Sequence, residues 1–196
     1  MNFSLKPNTI ISHFLPGTFF IVAVVVMILI ENTCWIDKAT SLPGGLIAVL
    51  AGIGFSLALI IGLIFDAIRH LLEPIWDKLG QTDKDGLWWD FFFRGDEKIL
   101  QNLMDHYYSF YVFDANLVIA ILISLFCGVL FLMYEIFFTH EPNEVAHLRI
   151  LLFGFPLVII AFILFIDGKN LRKEIKKLAT EAIDKEKGGN DAENAA

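Results

Sequence analysis

The residues best placed to do chemistry lie in GLIFDAIRHLLEPIWDK, Gly62 to Lys78. Asp66, Arg69, His70, Glu73 and Asp77 follow one another there at helical intervals. Gly62, Asp66 and His70 recur every four residues and so share one helix face. Asp105, His106 and Asp114 return to a similar depth further along the chain. An Asp–His pair one turn apart, joined by His and Asp from a neighbouring helix, could hold a metal ion and activate water for hydrolysis at a membrane surface. The same residue types also make ordinary pairs within one helix, Asp66 with Arg69 or His70 and Arg69 with Glu73. Charges are expected wherever a helix leaves lipid. Ion pairing without a cofactor is therefore the favoured expectation, and Asp66, His70, His106 and Asp114 form the metal-site alternative.

The elements that position these residues are apolar runs. Four are long enough to span a bilayer, at about 20 residues each: residues 11–31, 46–68, 115–138 and 148–167. The second carries no charge from Leu46 to Phe65. The first lacks a basic leader beyond Lys6 and a small-x-small cleavage site, so it reads as a retained span rather than a signal peptide. Pro43-Gly44-Gly45 and Glu141-Pro142-Asn143 punctuate the two short connections. The fold class expected is all-α, a polytopic four-helix membrane protein with one domain over residues 1–187 and a disordered tail at 188–196.

Lys and Arg set the orientation. The segment between spans two and three holds Arg69, Lys78, Lys84, Arg94 and Lys98, and the stretch after span four holds Lys169, Arg172, Lys173, Lys176 and Lys177. The other loops offer Lys38 and Arg149. Both termini are therefore expected in the cytoplasm, with the protein in the inner membrane. Residues 69–114 are expected to form a cytoplasmic helical hairpin, because Ile99, Leu103, Tyr107 and Phe110 recur at helical spacing and run into span three. Span two is expected to continue through Leu79, with Pro74 as a point of kinking.

Composition agrees with a membrane protein. The chain is 56% hydrophobic and 19% charged, and its mean hydropathy is +0.63. A net charge of −7 argues against a nucleic-acid surface. Cys34 and Cys127 are too few for a zinc site on their own, and free thiols are expected. No nucleophile elbow, zincin motif or phosphate-binding glycine loop is present. The central turns of all four spans carry no ionisable residue, which disfavours a proton-coupled transporter. A pore between subunits, with polar rings at its mouths, stays open as an alternative.

Small residues mark helix contacts. Gly54, Ala58 and Gly62 form one stripe on span two, Ala48, Gly52 and Ser56 a second, and Ala120, Ser124 and Gly128 a third on span three. In lipid such stripes let backbones approach closely. Two faces on one helix suggest packing within a subunit on one side and homo-oligomerisation, with a tetramer as one candidate, on the other. The hairpin tip LWWDFFF offers Trp88, Trp89 and Phe92 for docking a cytoplasmic protein, or for an aromatic belt in the headgroup layer. Arg172, Lys173 and Lys176 are the docking candidates on the tail, and Leu171, Ile175, Leu178 and Ala182 line a face that suits a short coiled-coil seam.

In its four spans, the GLIFDAIRHLLEPIWDK exit, the cytoplasmic hairpin and the short charged tail, the chain resembles membrane subunits of bacterial anti-phage defence systems such as Kiwa. The resemblance is one of architecture over the whole chain and carries no individual functional residue. It implies a homo-oligomer that detects infection at the membrane and works with a cytoplasmic effector. The reading of the residues themselves is a non-enzymatic sensor or anchor whose partners are the bilayer, further copies of itself and a cytoplasmic protein. The metal-dependent hydrolase on Asp66 and His70 and the homo-oligomeric pore are its alternatives.

Overall fold

A computed structural model describes residues 7–31, 41–80, 107–138 and 144–193. It contains α1 (Pro7–Glu31), α2 (Gly44–Gly80), α3 (Ser109–Phe138) and α4 (Glu144–Glu193), and no strand among the described residues. All four helices are long and apolar enough to cross a membrane, over Ile10–Leu29, Gly44–Glu73, Ser109–Tyr134 and Gly154–Leu178. Helix is the form expected, since every backbone polar group within lipid must find a partner inside its own segment. The chain is therefore a multi-pass membrane protein. The hairpin residues 81–106, including Trp88, Trp89, Phe92 and His106, lie outside the described residues, as does Cys34.

The close contact between α1 and α2 is set by glycines. A Cβ at Gly17 would overlap the Ala58 carbonyl and stand 3.0 Å from the Gly62 amide nitrogen. A Cβ at Gly62 would run into the His13 backbone carbonyl. The two helices thus touch backbone to backbone, with Phe14 on Phe55 (ring centroids 4.6 Å apart) and Phe20 edge-on to Phe65 at 5.6 Å. One residue before Gly17, Pro16 sits inside α1 and lacks an amide proton, which frees the carbonyl of Ser12 four residues earlier. Asn116 of α3, fully buried, donates its side-chain amide to that carbonyl at 3.4 Å. The proline therefore lies within one continuous helix while creating a polar joint to α3.

Helix α3 is the most buried of the four spans and packs against both α1 and α4. The expected stripe Ala120, Ser124, Gly128 is buried inside the subunit, and the Ser124 hydroxyl donates to the Ala120 carbonyl at 2.8 Å. Phe65, Ile119 and Ala120 make one core cluster. A second joins Tyr111, Val112 and Ala115 of α3 to Ile175 of α4, with Leu171 and Leu178 packed beside it. The face on Leu171, Ile175 and Leu178 expected to seal a coiled coil is therefore occupied by α3 of the same chain.

Helix α2 runs on to Gly80, through Leu79 as expected. Helix α4 extends to Glu193, into the 188–196 stretch expected to be disordered. Once a helix is nucleated by packing, each added residue gains a hydrogen bond, and a Gly costs about 1 kcal/mol against that. The run from Glu144 is nucleated by its packing on α3, so Gly188 and Gly189 do not stop it.

The two stripes of α2 part company. Ala58 and Gly62 are buried against α1, whereas Gly54 has no atom within 4 Å of an added Cβ. Ala48, Gly52 and Ser56 all face outward, and the Ser56 hydroxyl donates to its own helix at the Gly52 carbonyl, 3.0 Å away. Gly62→Leu should lower unfolding stability in mild detergent by at least about 2 kcal/mol, because backbone must move. Gly52→Leu should stay within about 0.5 kcal/mol of wild type in the dissociated chain. Equal losses for the two variants in a denaturant series would contradict the packing described.

Candidate functional site

The charged exit of α2 folds into an arginine-centred node. Arg69 and His70 each lie three or four residues from Asp66 and from Glu73, so one stretch of helix brings them to one side. Arg69 is 1% exposed. Its Nε and Nη2 donate to Asp66 Oδ1 at 3.1 and 3.0 Å, and its Nη1 donates to Glu73 Oε1. Nη2 also lies 3.0 Å from His70 Nε2. The guanidinium carbon stands 5.7 Å from the centre of the Tyr111 ring and 5.9 Å from that of Tyr108. Pairing on its edge and aromatic contact on its face are what a guanidinium needs when water is withdrawn.

The other three helices reach this node by single residues. From α1, His13 Nε2 lies 3.6 Å from Asp66 Oδ2. From α3, the Tyr111 hydroxyl donates to Glu73 Oε1 at 3.4 Å. From α4, Arg172 Nη1 donates to the Tyr111 hydroxyl at 2.5 Å, lies 3.6 Å from Glu73 Oε1, and carries its guanidinium 5.3 Å from the Tyr111 ring centre. His70 completes the rim, 3.6 Å from Asp66 Oδ2 and 3.3 Å from Glu73 Oε2. Two carboxylates thus face two guanidinium groups. Formal charge balances with both imidazoles neutral.

This arrangement bears directly on the metal-site alternative. Asp66 and Glu73 spend their oxygens on arginine and histidine, and the adjacent guanidinium groups oppose the approach of a cation. Among the described residues no group of three or more His, Cys, Asp or Glu is disposed to hold a metal ion. Asp114 belongs to a different place: its charged neighbour is Asp167 of α4, and both line a groove between α1 and α4. The structure therefore separates Asp114 from the Asp66–His70 pair, and His106 lies outside the described residues. What the node can do is tie helices together and register their relative position.

Of the docking candidates, Arg172 is drawn into the node rather than offered to a partner. Lys173 is exposed and Lys176 half-buried. The contributions of His13 and Tyr111 are not legible from spacing, because each acts across helices. The signal they carry is depth: Tyr111 enters span three, and His13 enters span one, at the level where Arg69 leaves span two.

Breaking a buried ion pair by removing one partner costs about 3–5 kcal/mol. Arg69→Met should lose stability on that scale, since it strands Asp66. Adding Asp66→Asn should recover at least about 1 kcal/mol of it by removing the stranded charge. Denaturant unfolding of the two variants in one detergent checks this, and a double variant that is weaker by the sum of both changes would contradict it.

Comparison of this chain with family models, with curated proteins and with solved structures finds no match.

Proposed function

We propose that this chain is a non-enzymatic, homo-oligomeric protein of the bacterial inner membrane. It converts a change in the arrangement of its spans into a change in the cytoplasmic part of α4, where a soluble partner reads it. The observation that carries this reading is the placement of Arg172. One side chain joins the node through Tyr111 and Glu73, and it belongs to a 50-residue helix that runs on as a charged rod beyond the span. A shift of α1 against α2 alters the His13–Asp66 contact, and the same node holds the base of α4. With both termini in the cytoplasm, as the Lys and Arg distribution indicates, that rod reaches the cytoplasm.

Assembly is assigned to the outward stripe Ala48, Gly52 and Ser56, with Gly54 at its edge. From residue 44 to 57 α2 is exposed on nearly every side, so its small residues are free for a second copy. Ala58 and Gly62 serve the α1 contact instead. Partner docking is assigned to Lys173 and Lys176 with Trp88, Trp89 and Phe92. Anti-phage defence is the process in which a membrane subunit of this architecture would act. The hydrolase alternative is weakened by the arginines that occupy Asp66 and Glu73.

Native mass spectrometry of the protein taken gently from its host is expected to detect a metal-free homo-oligomer with a cytoplasmic protein attached. Lys173→Glu with Lys176→Glu should weaken that partner by at least about tenfold and leave the oligomer intact. Gly52→Leu should do the reverse, dispersing the oligomer. A metal-bearing monomer without a partner would overturn this function in favour of the hydrolase.

A further inference from the structure

At the same end of the bundle as the arginine node, α1 and α4 hardly touch each other, because both lie against α3. The gap is a groove of about 620 Å³, within the range of sites that hold small ligands. Its walls are apolar: Ile11 and Leu15 of α1, and Phe110 and Phe113 of α3. Into this apolar setting the helices bring two carboxyl groups, Asp114 and Asp167. Gly168 lies against Asp114, since a Cβ there would stand 3.7 Å from the Asp114 Cβ, an ordinary contact distance.

The contrast with the node is informative. There each acid meets an arginine. Here the neighbour of Asp114 is a second acid, and the two carboxyl groups hydrogen-bond to each other and so hold one negative charge between them. Buried Asp114 is thus satisfied by Asp167, and the charge the pair retains lies on its exposed side, where a cation with N–H donors complements it. We propose that this groove binds a membrane lipid with a primary ammonium headgroup, phosphatidylethanolamine, its amine on Asp114 and Asp167 and its acyl chain along Ile11, Leu15 and Phe110.

Charge complementarity selects the occupant. A primary ammonium offers three N–H donors to the two carboxyl groups. The trimethylammonium of phosphatidylcholine offers none, and the headgroup of phosphatidylglycerol brings only negative charge. The apolar walls select a lipid over a soluble amine. Ile11, Leu15 and Phe110 are 47%, 43% and 58% exposed, so they leave the groove open along its length to a chain lying in the bilayer. Such binding does not depend on whether α4 meets a cytoplasmic partner.

The test uses the full chain reconstituted in vesicles of equal parts phosphatidylethanolamine, phosphatidylcholine and phosphatidylglycerol, followed by native mass spectrometry of retained lipid. Phosphatidylethanolamine is expected to be retained over phosphatidylcholine by about tenfold or more, the scale of charge-assisted hydrogen bonds. Asp167→Asn, at an exposed position that leaves folding intact, should reduce that ratio at least fivefold, and Asp114→Asn should do the same. Equal retention of the two lipids overturns the proposal, as does a preference unchanged in Asp167→Asn. So does a groove that retains no lipid because a second copy of the chain covers it.

Discussion

A guanidinium that is 1% exposed at the edge of a membrane constrains everything around it. Left without partners, such a charge is costly enough to unfold the region that holds it. Arg69 avoids this because Asp66 and Glu73 sit one turn to either side on the same helix. Those acids then need balance of their own, and local sequence cannot supply all of it. Arg172 comes from α4, and the Tyr111 hydroxyl is placed between Arg172 and Glu73. Satisfying one residue of α2 thus fixes where α3 and α4 must stand.

The glycines of α1 and α2 serve the same end. Only when Gly17 and Gly62 bring the two backbones together does His13 reach the Asp66 carboxylate. Pro16 tightens the arrangement from the other side by freeing a carbonyl for Asn116 of α3. Lipid supplies no hydrophobic drive between spans, so close packing and polar joints carry the association of these helices. The chain places its polar joints at one end of the bundle and leaves the other end, from residue 44 to 57 of α2, with few contacts inside the subunit. One end is built for internal registration and the other is available for association.

Much of this architecture is legible in the sequence, and the limits have a physical pattern. The four spans follow from apolar length, and the Asp66–Arg69–Glu73 pairing follows from helical periodicity. Both are local properties. The stripes of small residues announce close contacts, but spacing does not say with whom: Ala120, Ser124 and Gly128 turn inward, while Ala48, Gly52 and Ser56 turn outward. The seam on Leu171, Ile175 and Leu178 has the period of a coiled coil, and its partner is α3 rather than another copy. Depth alone groups Asp114 with Asp66, yet the rotation of α3 points it at Asp167. Periodicity gives a face and a depth. It does not give the rotation of one helix against another.

The central claim is that the node couples helices, so that loosening one contact is felt in its neighbours. Tyr111→Phe is the most direct probe. It removes one hydroxyl, the atom that joins Glu73 of α2 to Arg172 of α4, and keeps the ring that packs on Val112, Ala115 and Ile175. Hydrogen exchange followed by mass spectrometry on the protein in nanodiscs would compare the two forms. Coupling predicts faster exchange both around Asp66–Glu73 and around Leu171–Leu178, with the middle of α3 unchanged. Exchange altered in α3 alone, or in neither flanking helix, would contradict it.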